Sequence, residues 1–123
     1  MKLLLDTHTL LWWHAGTLPA RVVAHVQRAD EVRVSAATAW EIAIKTALGK
    51  LEMEDRVADI ASSYGFVEEP IRFEHAELVA SLPPHHADPF DRMLVAQATI
   101  EGLTIVTKDA LVRQYAVRTL WER

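Results

Sequence analysis

The chain has 123 residues, half hydrophobic and about a quarter charged, so it suits one folded domain over 1–123 with a real core and not a disordered chain. It has no cysteine, which excludes disulfides, thiolate catalysis and cysteine-based zinc sites and makes a reducing cytoplasm the natural home. The formal charge of −4 gives no broad basic surface, yet an acidic metal-holding site carries negative charge of its own, so a nucleic-acid substrate stays open. The stretch before Asp6 is too short for a signal peptide, and no apolar run has the length to span a bilayer.

Leu3-Leu4-Leu5 has no polar residue to give it a wet face. It reads as a strand buried on both sides, with a buried helical turn as the alternative. Asp6 ends the run. In an open parallel α/β sheet, ligands bind outside the carboxyl ends of the strands, so Asp6 is aimed at the place where such a fold puts its chemistry. It can equally cap the helix expected over 7–15, which Gly16 stops. Pro19 suits the start of a second helix running to about residue 29. Val32-Arg33-Val34-Ser35 alternates as a strand does. A helix follows over 36–48, with Gly49 as its stop. On it Thr38, Glu41 and Lys45 are spaced by three and four and form one polar stripe. Asp55 can cap a helix over 56–64 ended by Gly65. Residues 66–71 read as an edge strand, because Pro70 cannot donate a ladder hydrogen bond.

A helix is expected over 73–82, then a Pro-Pro-His-His loop over 83–87. Asp88 as N-cap and Pro89 in the first turn open a helix that ends at Gly102. Thr104-Ile105-Val106-Thr107 is a β-branched strand closed by Lys108-Asp109. Asp109 can cap a short helix over 110–115, and 117–121 is a final strand. Strands and helices alternate, which predicts an α/β fold: a three-layer α/β/α sandwich around a parallel sheet.

Four carboxylates sit oddly. Asp6 and Asp109 follow two strands and can be neighbours at one edge of a parallel sheet. Asp91 shares a helix face with Leu94, Val95 and Ala98, and a charge on a buried stripe is costly unless it is paired or holds a metal. Asp88 is most economically a cap. Glu41, alone, would be a solvated partner of Lys45; beside three other acids it becomes a ligand candidate. Such acids repel one another and are tolerated when a divalent cation neutralises them. All-oxygen ligands favour Mg²⁺ or Mn²⁺, the usual apparatus for phosphodiester hydrolysis.

Thr7, Thr107 and Ser35 carry hydroxyls beside these positions and are either supporting polar groups or plain turn residues. Lys45, Arg92 and Lys108 lie near the acids in sequence and are candidate contacts for substrate phosphates, against the usual solvated role of such side chains. His85 and His86 read as a solvated loop in preference to a zinc site. The run from Leu10 to Trp13 reads as core, with one of its two tryptophans left for a partner surface.

Four blocks together, Leu-Leu-Leu-Asp-Thr-His at 3–8, Ser-Ala-Ala-Thr-Ala-Trp-Glu-Ile-Ala-Ile-Lys at 35–45, Asp-Pro-Phe-Asp-Arg-Met-Leu-Val-Ala-Gln-Ala at 88–98 and Ile-Val-Thr-Lys-Asp at 105–109, resemble the PIN-domain proteins. More narrowly they resemble the VapC-type toxins of prokaryotic toxin–antitoxin pairs. The resemblance runs in order along essentially the whole chain. It implies a PIN-like sheet of about five strands and a Mg²⁺- or Mn²⁺-dependent endoribonuclease. It places the family's acids on Asp6, Glu41, Asp91 and Asp109, and its polar residue before the last acid on Thr107. It also implies cleavage of structured RNA such as tRNA or rRNA, a block of translation, a cognate VapB antitoxin over the site, and a homodimer.

Two other folds that gather acids at strand ends fit less well. A haloacid-type phosphatase needs a second Asp two residues after the first, where this chain has His8. A receiver domain wants its phosphorylated Asp on a middle strand, and this chain has none there. A PIN domain that only binds a partner is the remaining alternative, and the presence of all four acids argues against it.

Overall fold

The computed structural model describes residues 1–122 and shows the expected alternation as a five-stranded sheet between layers of helix. The strands are β1 (Lys2–Leu5), β2 (Glu31–Ser35), β3 (Val67–Glu69), β4 (Thr104–Val106) and β5 (Thr119–Leu120). The helices are α1 (Thr7–Ala15), α2 (Ala20–Arg28), α3 (Ala36–Ala47), α4 (Val57–Tyr64), α5 (Phe73–Val79) and α6 (Pro89–Glu101). The sheet order is β3-β2-β1-β4-β5, and every pairing is parallel.

β1 takes the centre because nothing in it needs water: Leu3, Leu4 and Leu5 are wholly buried. Successive side chains of a strand point to opposite faces, so one strand feeds two cores. Leu3 and Leu5 pack with Leu10, Val22, Val34, Ile42 and Ile60. Leu4 packs on the other side with Leu94, Val95, Ala98, Ile105 and Val112. Each buried leucine contributes roughly 1.5–3 kcal/mol. The connections out of β1 and β4 lie on opposite sides of the same gap. β1 leads towards β2, while β4 pairs with the other side of β1 and leads on to β5. That is a topological switch point, where ligands of open α/β sheets bind.

Several local expectations are corrected. Asp55 does not cap α4; its carboxylate is turned to His14 Nε2, 2.9 Å away, and Arg56 sits at the N-cap without a side-chain bond. Pro19 is the N-cap of α2 and not its first helical residue. α5 stops at Val79, short of the expected 82: Pro83 has no N–H to give the Val79 carbonyl, which instead accepts from Arg92, as does the Leu82 carbonyl. The expected helix over 110–115 is a single 3-10 turn at Val112–Gln114. α3 buries Thr38 and Glu41 from its polar stripe while exposing Trp40, Ile44 and, at its C-cap, Leu48. Its first turns face α1 and α6, where the acids gather, and not a purely apolar core.

Candidate active site

The acids reach one edge of the sheet by four separate routes. Asp6 follows β1 and caps α1, its Oδ1 accepting the Thr9 N–H at 2.9 Å. Glu41 lies on the second turn of α3, which starts where β2 ends. Asp91 lies in the first turn of α6, where the helix dipole favours an anion by roughly 0.3–1 kcal/mol. Asp109 follows β4, its backbone N–H donating to Thr107 Oγ1 at 3.0 Å and its Oδ1 accepting the Leu111 N–H at 2.8 Å.

Asp6 and Glu41 are buried, Asp91 is nearly so, and Asp109 is the most open of the four. The Thr7 hydroxyl donates to Glu41 Oε1 at 2.7 Å, and Lys45 Nζ meets Glu41 Oε2 at 2.5 Å. Glu41 thus has both a hydroxyl and an ammonium, and the Lys45 ammonium is held above its ordinary pKa by that hydrogen bond. Asp88 caps α6, accepting the N–H groups of Phe90 at 2.8 Å and Asp91 at 3.2 Å. Ser35 caps α3 and donates to Gln97 Oε1 at 2.6 Å, which ties it to α6 and leaves its hydroxyl engaged.

Asp91 carries the strain of the cluster. Burial first, then the charges of Asp88, Asp6 and Glu41, push its carboxyl from 3.8 up to about 7, against a smaller pull from His86. Asp109 goes the other way. Its partial burial works against ionisation, but the Leu111 N–H and His86 outweigh that and hold its carboxyl below the usual range. The donors here are hard carboxylate oxygens carrying more negative charge than the chain neutralises. That is the chemistry of a divalent cation site, and the residues fit one.

Sequence reasoning misplaced two residues of the loop and its neighbour. His86 is not solvated: its Nε2 lies 2.9 Å from Asp91 Oδ2 and 3.1 Å from Asp109 Oδ2, and only His85 stays out, edge-on to Tyr115. The signal for this was slight, a histidine two residues before a capping aspartate, whose N–H its ring accepts. Arg92 does not reach for substrate. Its guanidinium donates to the carbonyls of Val79, Leu82, Pro83 and His86 and to the Tyr115 hydroxyl, so it clamps the loop. Lys108 stays near the site and lies 6.0 Å from the Trp12 ring. Trp12, Trp121, Lys108 and Arg113 line a groove of about 1020 Å³ between α1 and β5, whose lining includes none of the four acids. Trp13, by contrast, packs on Tyr64 and Phe66.

The family model of the PIN domain matches residues 3–118. The chain belongs to the PIN domain family. A curated relative, Ribonuclease VapC22 of Mycobacterium tuberculosis, is 29% identical over 121 residues, covering 91% of this chain and 90% of that protein. Two solved structures share the PIN fold at low identity. VapBC2 from Rickettsia felis, bound to a DNA fragment from its promoter, superposes with a TM-score of 0.74 at 10% identity, over 98% of each chain. VapBC-1 from nontypeable Haemophilus influenzae gives 0.70 at 16% identity, over 99% of this chain and 98% of that one. In this PIN domain the matched region holds all four acids and His86.

Proposed function

We propose that this chain is a metal-dependent endoribonuclease, the toxin of a VapBC-type toxin–antitoxin pair, with Asp6, Glu41, Asp91 and Asp109 as its metal-holding and catalytic acids. The observation that carries the reading is the gathering of these acids at the switch point of the sheet, where burial first, and then the charges of Asp88, Asp6 and Glu41, raise the Asp91 carboxyl to about 7. Mg²⁺ or Mn²⁺ is the cation proposed, on the hardness of the donors. Such an ion, when bound, makes water a stronger acid and offsets charge that builds on phosphate oxygens.

The chain's own residues do the rest. Thr7 and Lys45 orient Glu41, and Thr107 holds the turn that presents Asp109. Lys108 and Arg113, beside the Trp12 and Trp121 rings, offer phosphate contacts and stacking faces to a strand of structured RNA, tRNA or rRNA, with Lys108 next in sequence to Asp109. Lys45 is a further phosphate contact at the site's rim. Partners follow from the relatives: the structural neighbours are VapBC assemblies, and we extend to this chain a VapB-type antitoxin. A homodimer belongs to the same reading, with the exposed Trp40 and Ile44 of α3 and Leu48 at its C-cap as its apolar contact. Trp40→Glu should then give a monomer by light scattering; an unchanged mass would move the contact elsewhere.

The test of the activity is cleavage of total cellular RNA by purified protein with Mg²⁺, with Mn²⁺ and with EDTA, alongside Asp6→Asn. Discrete metal-dependent fragments that vanish in the variant are expected. Equal inertness of both folded proteins under every metal would favour a partner-binding domain instead. Expression without an antitoxin should arrest growth, and normal growth with folded protein present would count against the toxin.

A further inference from the structure

His86 joins two of the clustered carboxylates without being an acid. Its other ring nitrogen decides what the contact is. Nδ1 accepts the backbone N–H of Asp88 at 3.2 Å. An N–H aimed at Nδ1 needs a lone pair there, so the neutral ring carries its hydrogen on Nε2. Nε2–H is then a donor, and what it faces are Asp91 Oδ2 and Asp109 Oδ2. A nitrogen that carries the hydrogen has no lone pair to give a cation.

The ring is held as firmly as it is aimed. The His86 N–H donates to the Tyr115 hydroxyl at 3.0 Å, and Arg92 binds four carbonyls along the 79–86 segment. The loop's two prolines add stiffness of their own. On the acceptor side, Asp109 Oδ1 is taken by the Leu111 N–H, whereas Asp91 Oδ1 accepts no hydrogen bond from any described residue. The Nε2–H is directed at Asp109 Oδ2, with Asp91 Oδ2 in close contact beside it at 2.9 Å, so Oδ1 is the Asp91 oxygen farthest from the ring's claim and left for a cation.

We propose that His86 is a positioning residue, a donor locked in its Nε2–H tautomer by the Asp88 backbone, which fixes Asp91 and Asp109 for cation binding and is not itself a ligand. The inference rests on the metal-dependent reading above. Donors of this kind, one step out from the metal, typically matter by 10- to 100-fold in metal affinity.

The test is Mn²⁺ binding to the whole protein without RNA, followed by the electron spin resonance of free Mn²⁺, for wild type, His86→Ala and His86→Gln. The glutamine amide can donate where Nε2–H does but cannot act as an imidazole. Echo-detected ¹⁴N coupling in the bound Mn²⁺ signal reports whether a ring nitrogen touches the ion. We expect affinity to fall by about 10- to 100-fold in His86→Ala, to return to within about threefold of wild type in His86→Gln, and no imidazole coupling in wild type. Unchanged affinity in a folded His86→Ala would overturn the proposal. So would wild-type ¹⁴N coupling that the alanine abolishes, since His86 would then be a ligand. Should His86→Ala fail to fold, His86→Gln decides: wild-type affinity supports the donor role and a loss like that expected for alanine refutes it. Wild type that binds neither Mn²⁺ nor Mg²⁺ would take down the metal-dependent reading and this inference with it, whereas tight wild-type binding indifferent to His86 defeats the inference alone.

Discussion

Among the described residues, two places bring a histidine against two carboxylates, one at the β3 edge and one at the switch point. At the β3 edge His75 faces Glu101 Oε1 at 3.2 Å and Glu69 Oε2 at 4.0 Å, and its Nδ1 accepts the Arg72 N–H. At the switch point His86 faces Asp91 and Asp109, and its Nδ1 accepts the Asp88 N–H. The rings are wired alike, but the charges around them are not. Glu69 has Arg33, whose Nη1 lies 2.7 Å from its Oε1, and that hydrogen bond raises the guanidinium pKa. Among the described residues no lysine or arginine pairs with Asp6, Asp91 or Asp109. A buried acid with a cation of its own is architecture. Acids that lack one are poised to take a cation from solution.

Breaking each cluster should therefore damage a different property. The largest effect expected is on cleavage. Asp6→Asn should lower metal-dependent RNA cleavage by on the order of 10²–10³-fold while the protein stays folded, as read by fragment yield over time. Glu69→Ala should do the reverse. It leaves the Arg33 guanidinium with only the less buried Glu31 as partner and should cost about 3 kcal/mol, the low end for a broken buried pair, in urea denaturation, with cleavage per folded molecule nearly unchanged. If Glu69→Ala instead abolished cleavage without loss of stability, the two clusters would have been assigned the wrong way round.

Asp91 gives a smaller and more diagnostic effect. Its folded-state pKa of about 7 lies above the ordinary 3.8, so between those values the folded protein holds a proton that the unfolded chain has released. This group therefore withdraws stability as pH rises from about 4 to about 7. The full shift corresponds to at most ~4 kcal/mol, and residual solvation brings the expectation nearer 2 kcal/mol. Asp91→Asn should thus stabilise the metal-free protein at pH 8 and flatten that slope, which thermal unfolding across pH measures; a destabilised variant at pH 8 would contradict it. Divalent cation should reverse the sign for wild type, adding about 2.7 kcal/mol at a hundred times Kd and little in Asp91→Asn. The smallest effect falls on His75. His75→Ala at the β3 edge should cost about 1–3 kcal/mol and leave Mn²⁺ affinity alone, in contrast to His86→Ala.

Much of the architecture was legible. Leu3-Leu4-Leu5 had no wet face, and Gly16, Gly65 and Gly102 stand where their helices stop, all at positive φ. The positions of Asp6 and Asp109 after strands, and of Asp91 on the face of Leu94, Val95 and Ala98, could be read from spacing alone, and the structure brings them to one edge with Glu41. What could not be read are choices made by tertiary partners. Nothing in Pro-Pro-His-His says which histidine turns inward; the Asp88 N–H and two distant carboxylates decide that. Arg92 looks like any helix-borne cation until the loop folds over it. Asp55 has the chemistry of a cap, but His14, far away in sequence, takes its carboxylate.

The register of the central strand has one further consequence. Leu3 pairs with Thr104 and Leu5 with Val106, so Asp6 and Asp109 come to the same end of the sheet only after segments about a hundred residues apart have closed on each other. Contacts of such long range form late in folding, because the loop must be closed before they reward it. The cluster of acids is therefore a property of the finished tertiary structure and of no fragment of it. A chain that is still emerging, or one that has frayed at β4, is disarmed by its own topology. The assembled sheet acts as a safety catch that releases only on complete folding.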